Sequence, residues 1–191
     1  MKTYVTADTH LGHQRVLEMC NRKFSSIEEH DDAIIDKINS NVDVHDRLFV
    51  LGDFCWGNEE SWFTKIRCKN CHLIFGNHDK AKLGKLFKTA DDVLEIKLQD
   101  HKLFLSHYPH AYWPSSHYGS LHIYGHVHSQ REETLDRCFP GRRSMDGGVD
   151  NAKLLLGEYR PFSEDEIIEI LMARPGHDPV EFYREQIKLR S

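Results

Sequence analysis

The sequence has no apolar run long enough to cross a membrane, so it offers no transmembrane helix. It has no even, regularly spaced set of cysteines. The five present (Cys20, Cys55, Cys68, Cys71, Cys138) are odd in number and irregular in spacing, which suits reduced thiols and argues against a disulfide framework. Cys68-Lys69-Asn70-Cys71 is at most half of a structural zinc site, since no second pair follows and such sites take four ligands. Positive charge is not in excess either. A formal charge of −5 and a pI near 6.3 give no overall attraction to nucleic acid or anionic membranes, and Arg137, Arg142 and Arg143 form the one notable basic cluster. Repeats and low-complexity tracts are absent, and the chain opens on a strand-like run rather than a signal peptide. The expected setting is the cytoplasm, with neither a membrane nor long nucleic acid as partner.

What the sequence has is histidine, 14 of them, placed where apolar runs end. Leu73-Ile74-Phe75 stops without transition at Gly76-Asn77-His78-Asp79. A buried strand reads as a short continuous hydrophobic segment. Glycine straight after it allows a sharp turn and a close approach of other groups. The same pattern recurs four times: residues 2–7 run into Asp8-Thr9-His10, 47–51 into Gly52-Asp53, 102–106 into His107, and 121–125 into His126-Val127-His128. Open α/β sheets place their sites at the carboxyl ends of strands. Five runs that deliver such residues at the same end imply one shared site.

Between these runs the pattern turns helical. Ser26-Ile27-Glu28-Glu29 is a capping-box sequence, followed by Ile27, Ile34, Ile35 and Ile38 at helical spacing. Asn58 caps a helix expected over 59–67, and a basic helical piece is expected over 80–88. From Asp92 the character changes to strands, with a hairpin around Gln99-Asp100-His101 and a last strand approaching Gly147-Gly148-Val149-Asp150. Residues 153–159 are ambiguous. Ser163 opens a further helix that Pro175 stops, and a C-terminal helix is expected over 179–189. The alternating first half and strand-rich second half predict two packed sheets covered by helices, in one domain over 1–191 with a helical extension from about 163.

The ligand inventory is Asp8, His10, Asp53, Asn77, His107, His126 and His128, with His78 and Asp79 beside it. Mixed imidazole and carboxylate donors suit manganese, iron, zinc, nickel or cobalt better than calcium or magnesium. Seven groups are too many for one tetrahedral ion and about right for two, if one carboxylate bridges them. Paired ions about 4 Å apart clamp the attacking and leaving oxygens of a phosphoryl centre and make a hydroxide nucleophile near neutral pH.

The five blocks, in this order, resemble those of the calcineurin-like metallophosphoesterases, across most of residues 2–165. The opening Thr6-Ala7-Asp8-Thr9-His10-Leu11-Gly12-His13 is most similar to small prokaryotic and phage-type members. The resemblance implies an α/β fold, a four-layer αββα sandwich of two mixed β-sheets flanked by helices. It implies two divalent ions, manganese first. One would be held by Asp8, His10, Asp53 and His128, the other by Asp53, Asn77, His107 and His126, with Asp53 bridging. His78 would face the scissile phosphate as general acid or charge stabiliser, oriented by Asp79. His13, one turn past His10, is either a substrate contact or the start of a helix.

The implied activity is hydrolysis of a small phosphodiester or nucleotide-type ester by a hydroxide at the dinuclear centre. Phosphomonoester hydrolysis on the same centre is the alternative, and a catalytically weak interaction scaffold is the other. Protein phosphatases of the superfamily match less well, since they carry an arginine where Phe75 stands and Asp-Arg where Phe54-Cys55 follows Gly52-Asp53. Monomer and homodimer both stay open. His72, His101 and His122 read as exposed or hydrogen-bonded strand residues, and Asp150 reads as part of a turn.

Overall fold

The computed structural model describes residues 1–176. Strands β1 (Thr3–Thr6), β2 (Arg47–Val50) and β3 (Asn70–Ile74) are covered on both faces, which is why their sequences read as nearly unbroken apolar runs. Alternate residues divide between two cores, because successive side chains of a strand point to opposite sides. Tyr4, Leu48, Val50, Cys71 and Leu73 pack with Ile34, Ile35 and Ile38 of α2 (Ile27–Asn41). Val5, Phe49, Leu51 and Ile74 turn the other way, onto Leu103, Leu105, Leu121, Ile123 and Met145 of a second sheet.

Helix α2 begins where the sequence predicts. The Ser26 hydroxyl accepts the Glu29 backbone N–H at 3.2 Å, and Glu28 and Glu29 place negative charge on the first turn. Each fully buried isoleucine on its inner face contributes roughly 1.5–3 kcal/mol. The short α1 (Val16–Met19) precedes it and α3 (Glu59–Phe63) follows β2.

Among the described residues the first sheet has the order β4-β3-β2-β1-β9, with β4 at Thr89–Asp91 and β9 at Phe162–Ser163. Strands β1 to β4 are parallel and β9 is antiparallel to β1. The second sheet runs β5 (Val93–Leu98), β6 (His101–Ser106), β7 (Leu121–Tyr124) and β8 (Ser144–Asp146). There β5 and β6 form the expected hairpin, while β6, β7 and β8 are parallel. Both sheets are therefore mixed. Helices α2 and α3 cover one outer face, and the 107–120 segment with α4 (Glu132–Cys138) covers the other. This is the expected four-layer α/β sandwich. Helices α5 (Val149–Leu156) and α6 (Glu164–Met172) add Ala152, Ile167 and Leu171 to the core between the sheets.

Several local expectations differ from what forms. Residues 80–88 hold one 3-10 turn, Leu83–Leu86, instead of a helix. Gly84 lies so close to Phe75 and Ala90 that a Cβ there would fall 2.7 Å from Phe75 Cζ, and Thr89–Asp91 is drawn into pairing with β3. Helix α3 ends at Phe63, because the chain turns back and Lys69 N–H bonds Val44 O at 3.0 Å on the way into β3. The last strand of the second sheet ends at Asp146, and Gly148 in extended conformation caps α5. Residues 149–156 are thus helical, so the ambiguous stretch 153–159 is helix as far as Leu156 and leaves it at Gly157. Helix α6 ends at Met172, before Pro175, and the helix expected over 179–189 lies outside the described residues. Among the described residues no helix is long and apolar enough to cross a membrane.

Candidate metal centre

Because β1, β2 and β3 are parallel, as are β6 and β7, their carboxyl ends share an edge in each sheet. The loops that follow are stitched together by main-chain bonds: Asp8 N–H to Gly52 O at 3.0 Å, His10 N–H to Asp53 O at 3.0 Å, and Gly125 N–H to His107 O at 2.9 Å. Side chains cross between the sheets. His126 N–H donates to Asp8 Oδ2 at 2.9 Å, and His107 Nδ1 lies 2.8 Å from Leu51 O.

The backbone itself is strained here. Asp8, His10, Asp53, His126 and His128 all have φ between 48° and 72°. A left-handed conformation costs a residue with a Cβ about 1–2 kcal/mol, and such strain gathers at functional sites. Two glycines let the loops close in. A Cβ on Gly76 would fall 2.3 Å from Asp53 Oδ1, and one on Gly125 would fall 2.7 Å from Asp8 Oδ2.

The seven residues form two groups joined by one carboxylate. Asp8, His10 and His128 converge in one group, and Asp53, His107 and His126 in the other. Asp53 Oδ2 is 3.7 Å from His10 Nε2 and also 3.7 Å from His107 Nε2, so it faces both. Asn77 Oδ1 is 3.0 Å from His107 Nε2 and 3.0 Å from His126 Nδ1.

The donors fit cations. Leu51 O can only accept, so His107 Nδ1 carries the hydrogen and Nε2 is left facing the oxygens of Asn77 and Asp53. In the other group, His10 Nε2 and His128 Nε2 face each other at 3.3 Å, with Asp8 Oδ1 4.0 Å from the latter. Asp8 Oδ1 is buried and has no hydrogen-bond partner. Burial pushes the Asp8 carboxyl well above the usual range, against the pull of His128, and burial lowers His10 to about 2. Burial also works against a charged His128, yet its hydrogen bonds with the acceptor Asp150 and with Cys20 raise that ring to about 11. Asp150 Oδ2 beside His128 Nδ1 places the hydrogen on that nitrogen and leaves Nε2 facing His10 and Asp8, a donor set that a divalent cation would fit.

No family model matches the chain. The uncharacterized protein MJ1445 of Methanocaldococcus jannaschii is 28% identical over 174 residues, spanning 89% of this chain and 91% of that protein. The gene 66 protein of mycobacterium phage L5 is 26% identical over 204 residues, spanning 88% and 93%. Among solved structures, AQ665 of Aquifex aeolicus, a protein of unknown function, superposes with a TM-score of 0.72 at 25% identity, covering 88% of this chain and 98% of its own. The chain shares its α/β fold with AQ665.

Two residues of the block Gly76-Asn77-His78-Asp79 sit beside the cluster in different ways. His78 donates its backbone N–H to Asp53 Oδ1 at 3.0 Å, and its ring, 41% exposed, has Nε2 4.0 Å from Asp53 Oδ2. Asp79 does something other than orient that ring. Its carboxylate accepts the backbone N–H groups of Gly76 at 2.8 Å, Asp53 at 2.9 Å and Phe54 at 3.1 Å, and so clamps two ligand-bearing loops together. Burial raises its pKa, and those N–H groups oppose the rise. His13 continues the first block with its ring stacked on Trp56 at 4.8 Å.

The motif reading missed what lies behind the cluster. Asp150 Oδ2 is 2.7 Å from His128 Nδ1, and Cys20 Sγ is 3.2 Å from the same nitrogen. Cys20, His128 and Asp150 therefore converge too, on the far side of a ring shared with the first group. Buried Arg22 holds Asp150 with two bonds of 2.8 and 2.7 Å and reaches Asp8 O at 2.7 Å and Thr9 O at 3.0 Å. The chain continues through His30 to Asp31, whose Oδ2 accepts Gly12 N–H at 2.9 Å. Asp146 accepts Ser129 N–H and Gly148 N–H, each at 2.6 Å. Asp146 and Asp150 follow the same strand-then-polar pattern as the five blocks, one strand later.

Proposed function

We propose that the chain is a metal-dependent phosphoesterase that hydrolyses a small phosphodiester. The observation that carries this reading is Asp53 Oδ2, equidistant at 3.7 Å from a histidine of each group. That placement supports two divalent ions, one among Asp8, His10, Asp53 and His128 and one among Asp53, Asn77, His107 and His126. Manganese suits this mixture of imidazole and carboxylate best. Such ions supply a lowered pKa for water and a clamp on phosphoryl oxygens.

The protein groups do the rest. Half-exposed His78 stands at the open side of Asp53 and donates a proton to the departing oxygen of the ester. Asp79 keeps the Gly52-Asp53 and Gly76-Asn77 loops in register, so that His78 and the ligands move as one unit. The preference for a diester rests on the arginines. Arg142 is bound to Glu132 at 3.0 Å, Asp136 at 2.7 Å and Tyr124 at 2.9 Å, and so is not free to reach in as a clamp for a phosphate dianion. Arg143 lies beside Gly119 and Gly176.

The test is hydrolysis of bis(p-nitrophenyl) phosphate against p-nitrophenyl phosphate with manganese added. The diester is expected to be hydrolysed faster, and chelator to abolish both activities. A clear preference for the monoester overturns the diesterase reading.

A further inference from the structure

Two large aromatic side chains stand exposed on either side of the histidines. Trp56 is 50% exposed and Tyr108 49%. The Trp56 ring stacks on His13 at 4.8 Å with 15° between planes and lies 5.5 Å from the His78 ring. The Tyr108 ring meets His126 at 4.6 Å and His107 at 5.1 Å. Trp56 thus stands beside His78, and Tyr108 beside two histidines of the second group.

Trp56 is held in this position. Its backbone N–H donates to Leu11 O at 2.7 Å, next to the bridge between Leu11 and Cys55. Gly12, at φ +77°, packs so tightly that a Cβ there would fall 2.9 Å from Trp56 O. The His13 ring backs one face of the indole. An indole left in water forgoes the hydrophobic gain of burial, and a fixed one does so without gaining conformational freedom. A planar ligand stacked on it recovers that surface.

We propose that Trp56 is the stacking platform for the nucleobase of a small nucleotide diester, with Tyr108 against the group on the other side of the phosphate. This rests on the phosphodiesterase reading above. A diester has two arms, and one exposed aromatic lies beside His78 while the other lies beside His107 and His126. Nucleobases are the common planar groups on biological phosphodiesters, and each has a π-face that stacks on an aromatic side chain. The net charge of −5 disfavours a long polyanion, so the occupant is a mononucleotide ester or a dinucleotide. His13 then acts through Trp56, as the support of its ring.

The experiment uses two diesters with the same leaving group, thymidine 5′-(p-nitrophenyl) phosphate and methyl p-nitrophenyl phosphate, on the manganese-loaded protein. The nucleoside ester is expected to be favoured in kcat/KM by about tenfold or more, mainly through KM, the size of one stacked base. Trp56→Ala, checked for an unchanged melting curve, brings the ratio towards one, and Trp56→Phe keeps most of it. Quenching of tryptophan fluorescence by thymidine 5′-monophosphate, lost in Trp56→Phe, reads the stacking without turnover. A ratio near one in the wild type, or equal losses on both esters in Trp56→Ala, overturns the platform and leaves the phosphodiesterase standing. Failure to hydrolyse either ester overturns the phosphodiesterase, and absence of quenching then removes the platform as well.

Discussion

Asp150 holds its carboxylate 2.7 Å from Nδ1 of His128, although the two residues belong to different elements and His128 is needed at its other nitrogen. A carboxylate behind an imidazole fixes the ring's tautomer and orientation and makes its far nitrogen a better ligand. Asp150 is itself held by buried Arg22, which also carries the main chain at Asp8 and Thr9. The first motif block and the last are therefore braced by one guanidinium.

Asp150→Asn tests this brace. Manganese affinity is expected to fall about 10- to 100-fold. Loss of the carboxylate also leaves Arg22, 3% exposed, without its counter-charge, which costs about 3–5 kcal/mol. Calorimetric titration reads the first effect and chemical denaturation the second. Unchanged affinity in a destabilised protein means that Asp150 is structural only.

His78 is assigned to neither ion, so His78→Gln is expected to keep its metal. The deficit falls on kcat, on the order of 100- to 10,000-fold for an unactivated ester. It shrinks for esters with a nitrophenolate leaving group, which departs without a proton. Loss of an ion, or an equal deficit on both kinds of ester, removes the general-acid role.

Gly76→Ala places a methyl 2.3 Å from Asp53 Oδ1, in a loop that Asp79 already pins. The carboxylate has to move off its position between His10 and His107. Stability is expected to drop by about 1–3 kcal/mol, and manganese binding with it. Wild-type affinity in this variant contradicts the placement of Asp53.

The pH dependence of folding has a component far from the cluster. Hydrogen bonds from Arg160, at 2.6 and 3.0 Å, hold Glu166 down to about 2. A depressed carboxyl stabilises the fold above its unfolded value, about 4.3, and that contribution disappears as pH falls through about 2. Denaturation curves from pH 5 to pH 2 are expected to show Glu166→Gln less stable than wild type at pH 5, with the gap closing towards pH 2. A constant gap means that the charge is not what Glu166 contributes.

Much of this centre was legible because chemistry and chain direction coincide. In Leu73 to Asp79 and its four counterparts, a run buried on both faces ends directly in the polar groups, so position along the chain gives position at the sheet edge. The brace was not legible in the same way. Arg22 stands in a loop with no pattern of its own, and its partner is 128 residues away. Asp150 reads from the sequence as part of a turn, whereas Gly148 caps α5 and puts Asp150 on the first helical turn. The lysines of 80–88 gave a helical pattern that close packing at Gly84 overrides.

The central claim is that Asp53 joins two metal sites. Equilibrium dialysis against manganese, followed by elemental analysis of the wild type and Asp53→Asn, tests it most directly. The account predicts about two ions per wild-type chain and a loss from both sites in the variant, with activity lost together with metal. A wild-type protein that binds no ion yet hydrolyses the diester, or a variant that keeps both ions, contradicts it.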